Sequence, residues 1–72
     1  MNISYDEKVD AMYITFSDLP VAKTVPVGEG VLIDLDDRGR LLGIEILSPV
    51  ERNLIEKEKL LQLQSVLAEQ VG

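Results

Sequence analysis

The chain has 72 residues, no cysteine, no histidine and a formal net charge of -6. The absence of cysteine excludes disulfides and thiolate metal sites, and the absence of histidine removes the commonest general base. An acidic chain lacks the excess of Lys and Arg that neutralises phosphates, which argues against nucleic-acid binding. A chain this short forms one domain, residues 1–72, and buries about 60% of the surface that its unfolded form exposes. Because disulfides are excluded, we expect self-association to supply stability.

The sequence also bears on location. No apolar segment approaches the ~18–20 residues that a membrane-spanning helix needs. The first residues, Met1–Asp6, have neither the basic start nor the apolar stretch of a secretory signal. We therefore expect a cytoplasmic protein with no membrane contact.

Five segments have the composition of β-strands, with β-branched and aromatic residues bounded by turn residues. Their approximate bounds are 2–5, 11–16, 21–26, 30–36 and 40–47. Alternation in the second segment places Met12, Ile14 and Phe16 on one face. Pro26 cannot donate a ladder hydrogen bond, so the third segment is predicted to lie at an edge of the sheet.

The last two segments are predicted to form a hairpin around a turn rich in Asp and Gly. Apolar side chains alternate along both arms, and their phase predicts a register in which Leu35 lies opposite Arg40. That register places one aliphatic set on a single face of the sheet: Val31, Ile33, Leu35, Leu42, Ile44 and Ile46.

A helix is predicted from about 49 to 70. Ser48 and Glu51 have the spacing of a capping box, in which each side chain accepts a hydrogen bond from a free N–H at the helix start. Pro49 falls at the first helical position, where its missing N–H carries no penalty. The predicted fold class is therefore α+β: a small antiparallel β-sheet of four to five strands, followed by one C-terminal α-helix packed on it.

The predicted helix carries two apolar stripes at 100° per residue. The first comprises Val50, Leu54, Leu61 and Ala68. The second comprises Leu60, Leu63, Leu67 and Val71. One stripe is enough to cover the sheet, and a large exposed apolar patch on a small chain usually marks an interface. We therefore predict that the second stripe forms the seam of a homodimer, or of a heteromer with a small partner. The alternative is one broad stripe that the sheet of the same chain buries completely.

Three acidic residues, Asp34, Asp36 and Glu45, lie opposite the aliphatic set in the predicted register. They suggest either a weak divalent-cation site or a patch for a basic partner protein, although a solvated row of charges is the simpler explanation. The segment also follows most of the calcium-loop pattern, but Arg38 occupies a ligand position and the flanking segments are strands rather than helices. We predict no metal site and no cofactor.

Catalysis is not expected either. Asp6 and Asp10 resemble an acid/base pair, but Asp is equally common in turns, where its side chain bonds the backbone. The nearby side chains that could serve as nucleophile or oxyanion donor are Tyr5, Lys8 and Tyr13. An enzyme that uses Tyr13 with a carboxylate is kept as a third hypothesis for completeness only. The chain is therefore predicted not to be an enzyme.

The combined pattern resembles the short prokaryotic family catalogued as domain of unknown function 2283. The motifs are Tyr5-Asp6-x-x-x-Asp10-Ala11-x-Tyr13-Ile14, then Gly30-Val31-x-Ile33-Asp34-Leu35-Asp36, then Gly39-x-Leu41-x-Gly43-Ile44-Glu45-Ile46-Leu47. The resemblance covers residues 1 to about 50 and leaves out most of the predicted helix. It implies a small intracellular β-rich domain, and it transfers no activity and no catalytic residue.

Two functions of different classes follow as hypotheses. The preferred one is a homo-oligomeric protein-interaction module, which by analogy alone takes an antitoxin-like role against a basic partner. The alternative is a domain that binds a small ligand or a divalent cation on the acidic sheet face.

Overall fold

The computed structural model describes the backbone of residues 1–70 and the side chains of residues 1–66. In chain order the elements are β1 (Asn2–Asp6), β2 (Ala11–Thr15), β3 (Lys23–Gly28), β4 (Val31–Leu35), β5 (Leu41–Leu47) and the helix α1 (Lys57–Gln70). The strands form one sheet in the order β1-β2-β5-β4-β3, and every neighbouring pair is antiparallel. The predicted α+β class is confirmed. The strand that contains Pro26 lies at an edge, as its missing donor predicts.

The register of the β4–β5 hairpin differs from the prediction. Ile33 pairs with Ile44, and a bulge next to Asp34 brings Leu35 opposite Leu41 instead of Arg40. The turn explains the difference, because the backbone N–H of Asp36 donates to the carbonyl of Arg40 at 3.0 Å and closes the hairpin there. Between Val31 and Asp34 the offset is two residues, so these side chains and their partners in β5 keep their predicted faces.

The helix also begins later than predicted, at Lys57 instead of position 49. Residues 49–54 form a separate turn in which the N–H of Leu54 donates to the carbonyl of Pro49 at 2.9 Å. Ser48 and Asn53 have positive φ angles of 55° and 57°, and a left-handed residue ends a helical turn. The predicted capping box is therefore wrong.

Few apolar side chains are deeply buried. Ile3, Leu42 and Leu60 are 8%, 2% and 0% exposed, and they are the buried hydrophobic residues of the described part of the chain. The helix α1 lies against β1, the outermost strand on its side of the sheet. Leu60 belongs to this small core, so its predicted place in an exposed helix stripe is wrong.

Candidate functional site

A row of aliphatic side chains crosses all five strands on one face of the sheet. Ile3 in β1 pairs with Ile14 in β2, and Ile14 pairs with Ile44 in β5. Ile44 pairs in turn with Ile33 in β4, and Ile33 pairs with Val25 in β3. Directly paired residues project to the same side of an antiparallel sheet, so the row is continuous.

A second row runs parallel to the first, because Tyr5 pairs with Met12, Met12 pairs with Ile46, and Ile46 pairs with Val31. We call the surface formed by the non-aromatic apolar side chains of these two rows the aliphatic face: Ile3, Met12, Ile14, Val25, Val31, Ile33, Ile44 and Ile46.

Coverage of the aliphatic face is uneven. Ile3, at the β1 end that α1 contacts, is buried. The other seven side chains are half-buried, although β5 lies at the centre of the sheet with a neighbour on each side. Side chains of a central strand normally become fully buried once a second layer covers them. The described chain therefore covers its own aliphatic face only in part.

A second apolar surface lies along α1, where Ile55, Leu63 and Val66 line a shallow groove of about 400 Å³ with Lys59 and Gln62. Of the four predicted seam residues, Leu63 is 44% exposed and borders this groove. Leu60 lies in the core instead. The side chain of Leu67 and all of Val71 lie outside the described residues.

The opposite face of the sheet carries a line of polar side chains that hydrogen-bond one another within a single copy of the chain. The Tyr13 hydroxyl donates to Oδ2 of Asp34 at 2.5 Å, and the Thr24 hydroxyl donates to Oδ1 of the same carboxylate at 2.6 Å. These three residues come from β2, β4 and β3 and share the face that carries Ser4 and Glu45. We call this surface the polar face.

Hydrogen bonding across the polar face shifts two pKa values. The bond to Asp34, together with burial, raises the pKa of Tyr13 to about 12. Hydrogen bonds from Thr24 and Tyr13 lower the pKa of Asp34, against the opposing effect of burial. The phenol therefore stays protonated and the carboxylate stays ionised near neutral pH, which is the state in which the bond is strongest.

Gly43 in β5 makes room for this line. A methyl group at Gly43 would collide with the Tyr13 phenol and would lie 2.9 Å from the carbonyl oxygen of Ile14. The Tyr13 ring can cross β5 toward Asp34 because this position has no side chain. Sequence reasoning included Gly43 in a family pattern without a physical reason for it.

The three acidic residues of the second hypothesis do not converge. Asp34 and Glu45 share the polar face, but Asp36 lies in the β4–β5 turn and is 5% exposed. Its carboxylate accepts hydrogen bonds from the N–H groups of Arg38 and Arg40 at 2.9 and 2.8 Å and from Nε of Arg40 at 2.6 Å. The bonds from Arg40 lower the pKa of Asp36 most. Within the described part of the chain, no group of three acidic residues is placed to hold a metal ion.

Asp10 is the polar residue whose role sequence reasoning missed. Its carboxylate accepts hydrogen bonds from the Tyr5 hydroxyl at 2.7 Å and from the N–H groups of Val50 and Glu51 at 3.2 and 2.9 Å. It thereby caps the turn after β5, the role that the sequence assigned to Ser48. The position itself carries a signal, since Asp favours turns, but nothing local identifies a partner 40 residues away.

The environment of this cap shifts two further pKa values. Burial alone would raise the pKa of Asp10, but hydrogen bonds from Glu51, Tyr5 and Val50 outweigh it and hold the value below the ordinary one. The bond to Asp10, with burial second, raises the pKa of Tyr5 to about 12. Tyr5 and Tyr13 both line a shallow depression of about 580 Å³ beside the β1–β2 loop. Both phenols stay protonated near neutral pH and act there as hydrogen-bond donors.

Comparison with known protein families gives a match over the part of the chain that forms the sheet. Residues 2–48 match the sequence pattern of DUF2283, a family described as proteins of unknown function. The chain belongs to this family. The matched segment contains the five strands of this chain and ends before α1, so Tyr13, Asp34 and Gly43 lie inside it. No curated protein and no solved structure matches the chain. Within residues 1–70, no helix is long and apolar enough to cross a bilayer.

Proposed function

We propose that this DUF2283 chain is a protein-interaction module that associates with itself. The observation that carries the proposal is the amount of surface left open. The chain exposes 5099 Å², whereas a folded monomer of its mass is expected to expose about 4,450 Å². One copy therefore leaves more surface in contact with water than a compact monomer of its mass is expected to leave.

The small core supports the same proposal. Three hydrophobic side chains are buried among the described residues, and twelve large hydrophobic ones are exposed. A folded monomer with so little buried apolar surface gains little of the stabilisation that offsets chain entropy. Contact with a second molecule would remove further apolar surface from water.

The partner can be a second copy or a basic protein. The net charge of -6 favours a basic partner electrostatically and opposes self-association. With a basic partner, the chain would have an antitoxin-like role and would mask that protein in the cytoplasm. This role rests on analogy alone. Self-association is preferred because the open surface is apolar, and apolar surfaces do not require opposite charge.

The test is sedimentation equilibrium over a wide concentration range. We expect a mass twice the 8.0 kDa of one chain at high concentration, with dissociation on dilution. Added salt should strengthen the assembly, because it screens the repulsion between two acidic copies. A mass of 8.0 kDa up to the solubility limit would contradict self-association. Co-purification of a basic protein whose binding weakens with salt would support the heteromeric form instead.

A further inference from the structure

We infer that the aliphatic face is the surface on which a second copy of this chain packs, sheet against sheet. The inference rests on the proposed self-association and adds the location of the interface. It replaces the helix stripe that the sequence predicted, of which Leu60 is already buried within the chain.

Charge is the first argument. The eight residues of the aliphatic face include no charged side chain, although each copy carries a net charge of -6. The polar face would bring Asp34 and Glu45 of one copy toward the same carboxylates of the other. The charged strand residue on the aliphatic side is the cation Lys23, which pairs with Leu35 in the outer part of the sheet, and the strand carboxylates all lie on the other side. Two copies of an acidic chain meet with least repulsion where neither presents a carboxylate. Of the two faces of the sheet, the aliphatic one meets that condition.

Shape is the second argument. Five strands at a spacing of about 4.8 Å, each about five residues long, give a face of roughly 24 by 17 Å. The molecule measures 36 × 33 × 17 Å, so it is one thin slab. A sheet with one apolar face normally packs against a second layer about 10 Å away. The helix α1 lies near β1 and leaves the rest of that layer open.

Symmetry is the third argument. In a two-fold dimer the same patch meets itself, so the patch must be self-complementary. Rows of similar aliphatic side chains satisfy this requirement without matched donors and acceptors. Ile44 lies in the middle strand and in the middle of the five-residue row, so an axis through the centre of the face passes near it.

The α1 groove is the competing surface. It presents the apolar side chains Ile55, Leu63 and Val66 next to the charged Lys59, whereas the aliphatic face presents seven half-buried ones without interruption. The groove therefore offers fewer apolar side chains for a partner to cover and introduces a charge at its border.

The isoleucines of the native chain provide the test. Five of the six lie on the aliphatic face, and the sixth, Ile55, lies in the α1 groove. Isoleucine methyl groups can be labelled for NMR, and a soluble paramagnetic agent broadens the signals of exposed methyls. With rising protein concentration we expect Ile14, Ile33 and Ile44 to become protected while Ile55 stays broadened. Ile3 serves as the reference, because it is buried in a single copy.

Two variants give an independent test. The double variant I33T/I44T keeps β-branched residues in the strands but removes apolar surface from the centre of the face. We expect its dimer dissociation constant to rise by about tenfold or more. The matched helix variant Leu63→Gln should leave that constant unchanged within about twofold.

The outcomes separate the two proposals. Protection of Ile55 instead of the sheet isoleucines, or dissociation by Leu63→Gln alone, would overturn the sheet-face inference and leave self-association standing. A monomeric native chain whose sheet isoleucines stay broadened at every concentration would overturn both. If I33T/I44T does not fold, the methyl experiment on the native chain decides.

Discussion

The two faces of the sheet are built from the same five strands. They differ in how completely a single copy of the chain pairs their polar groups or covers their apolar side chains. On the polar face, Tyr13, Asp34 and Thr24 bond one another, and Gly43 leaves the space that Tyr13 needs. On the aliphatic face, seven side chains remain half-buried. Polar groups can be satisfied pairwise within a single layer, whereas apolar side chains need a second layer to exclude water. Changes on the polar face should therefore affect folding without altering assembly.

Gly43→Ala gives the largest expected effect. The added methyl group collides with the Tyr13 phenol and crowds the Ile14 carbonyl, so the line across the polar face must shift. We expect the free energy of unfolding to fall by about 1–3 kcal/mol, as for other overpacked sites. Urea unfolding monitored by circular dichroism measures it.

Gly28→Ala is the matched control. A methyl group at Gly28 meets no atom within 4 Å, so the change should stay within about 0.5 kcal/mol. Equal effects of the two substitutions would show that lost glycine flexibility, rather than the Tyr13 contact, determines the result. If Gly43→Ala changed the sedimentation mass, the polar face would not be independent of assembly.

Asp10→Asn should have a smaller, more local effect. Asn tolerates the positive φ of 51° at this position. Its amide group presents a donor where Oδ1 or Oδ2 now accepts, so at least one bond to Val50, Glu51 or Tyr5 is lost. We expect the amide hydrogens of Val50 and Glu51 to exchange faster while those of β5 change little. The exposed Asp18 gives the control variant Asp18→Asn. Unchanged hydrogen exchange at both amides would show that Asp10 does not cap the turn.

Ionisation of the two tyrosines should have the smallest effect on stability near neutral pH, and alkaline titration measures it. The chain has two tyrosines and no tryptophan, so tyrosinate absorbance reports both phenols directly. The pKa of each is raised from 10.0 to about 12, so the neutral phenol stabilises the folded state fully below pH 10.0. That contribution is lost as pH rises through about 12. Ionisation near pH 10.0 with the fold intact would contradict both hydrogen bonds.

Tyr13→Phe refines the same measurement on the polar face. It should halve the tyrosinate amplitude and lower the free energy of unfolding by about 1 kcal/mol or less, since the bond is partly exposed to water. The dimer dissociation constant should not change, because Tyr13 lies on the opposite side from the aliphatic face.

Rules that use only local sequence predicted much of the fold. Alternation assigned Ile33, Ile44 and Ile46 to one face, and the missing donor of Pro26 placed β3 at an edge. The same rules gave the wrong hairpin register, because the turn that Asp36 holds and the bulge beside it each shift the pairing by one residue, which alternation does not detect. The face assignment survived, since an offset of two residues preserves it.

The sequence by itself determined the order of elements, the alternation of apolar and polar positions in the strands, and membership of the family that residues 2–48 match. Tertiary structure decided where α1 begins, that Leu60 is buried, and that Asp10 caps a turn 40 residues away. It also decided which apolar surface stays open. Alternation and turn preference depend on neighbours a few residues apart, whereas caps and burial depend on contacts that form only when distant segments pack together.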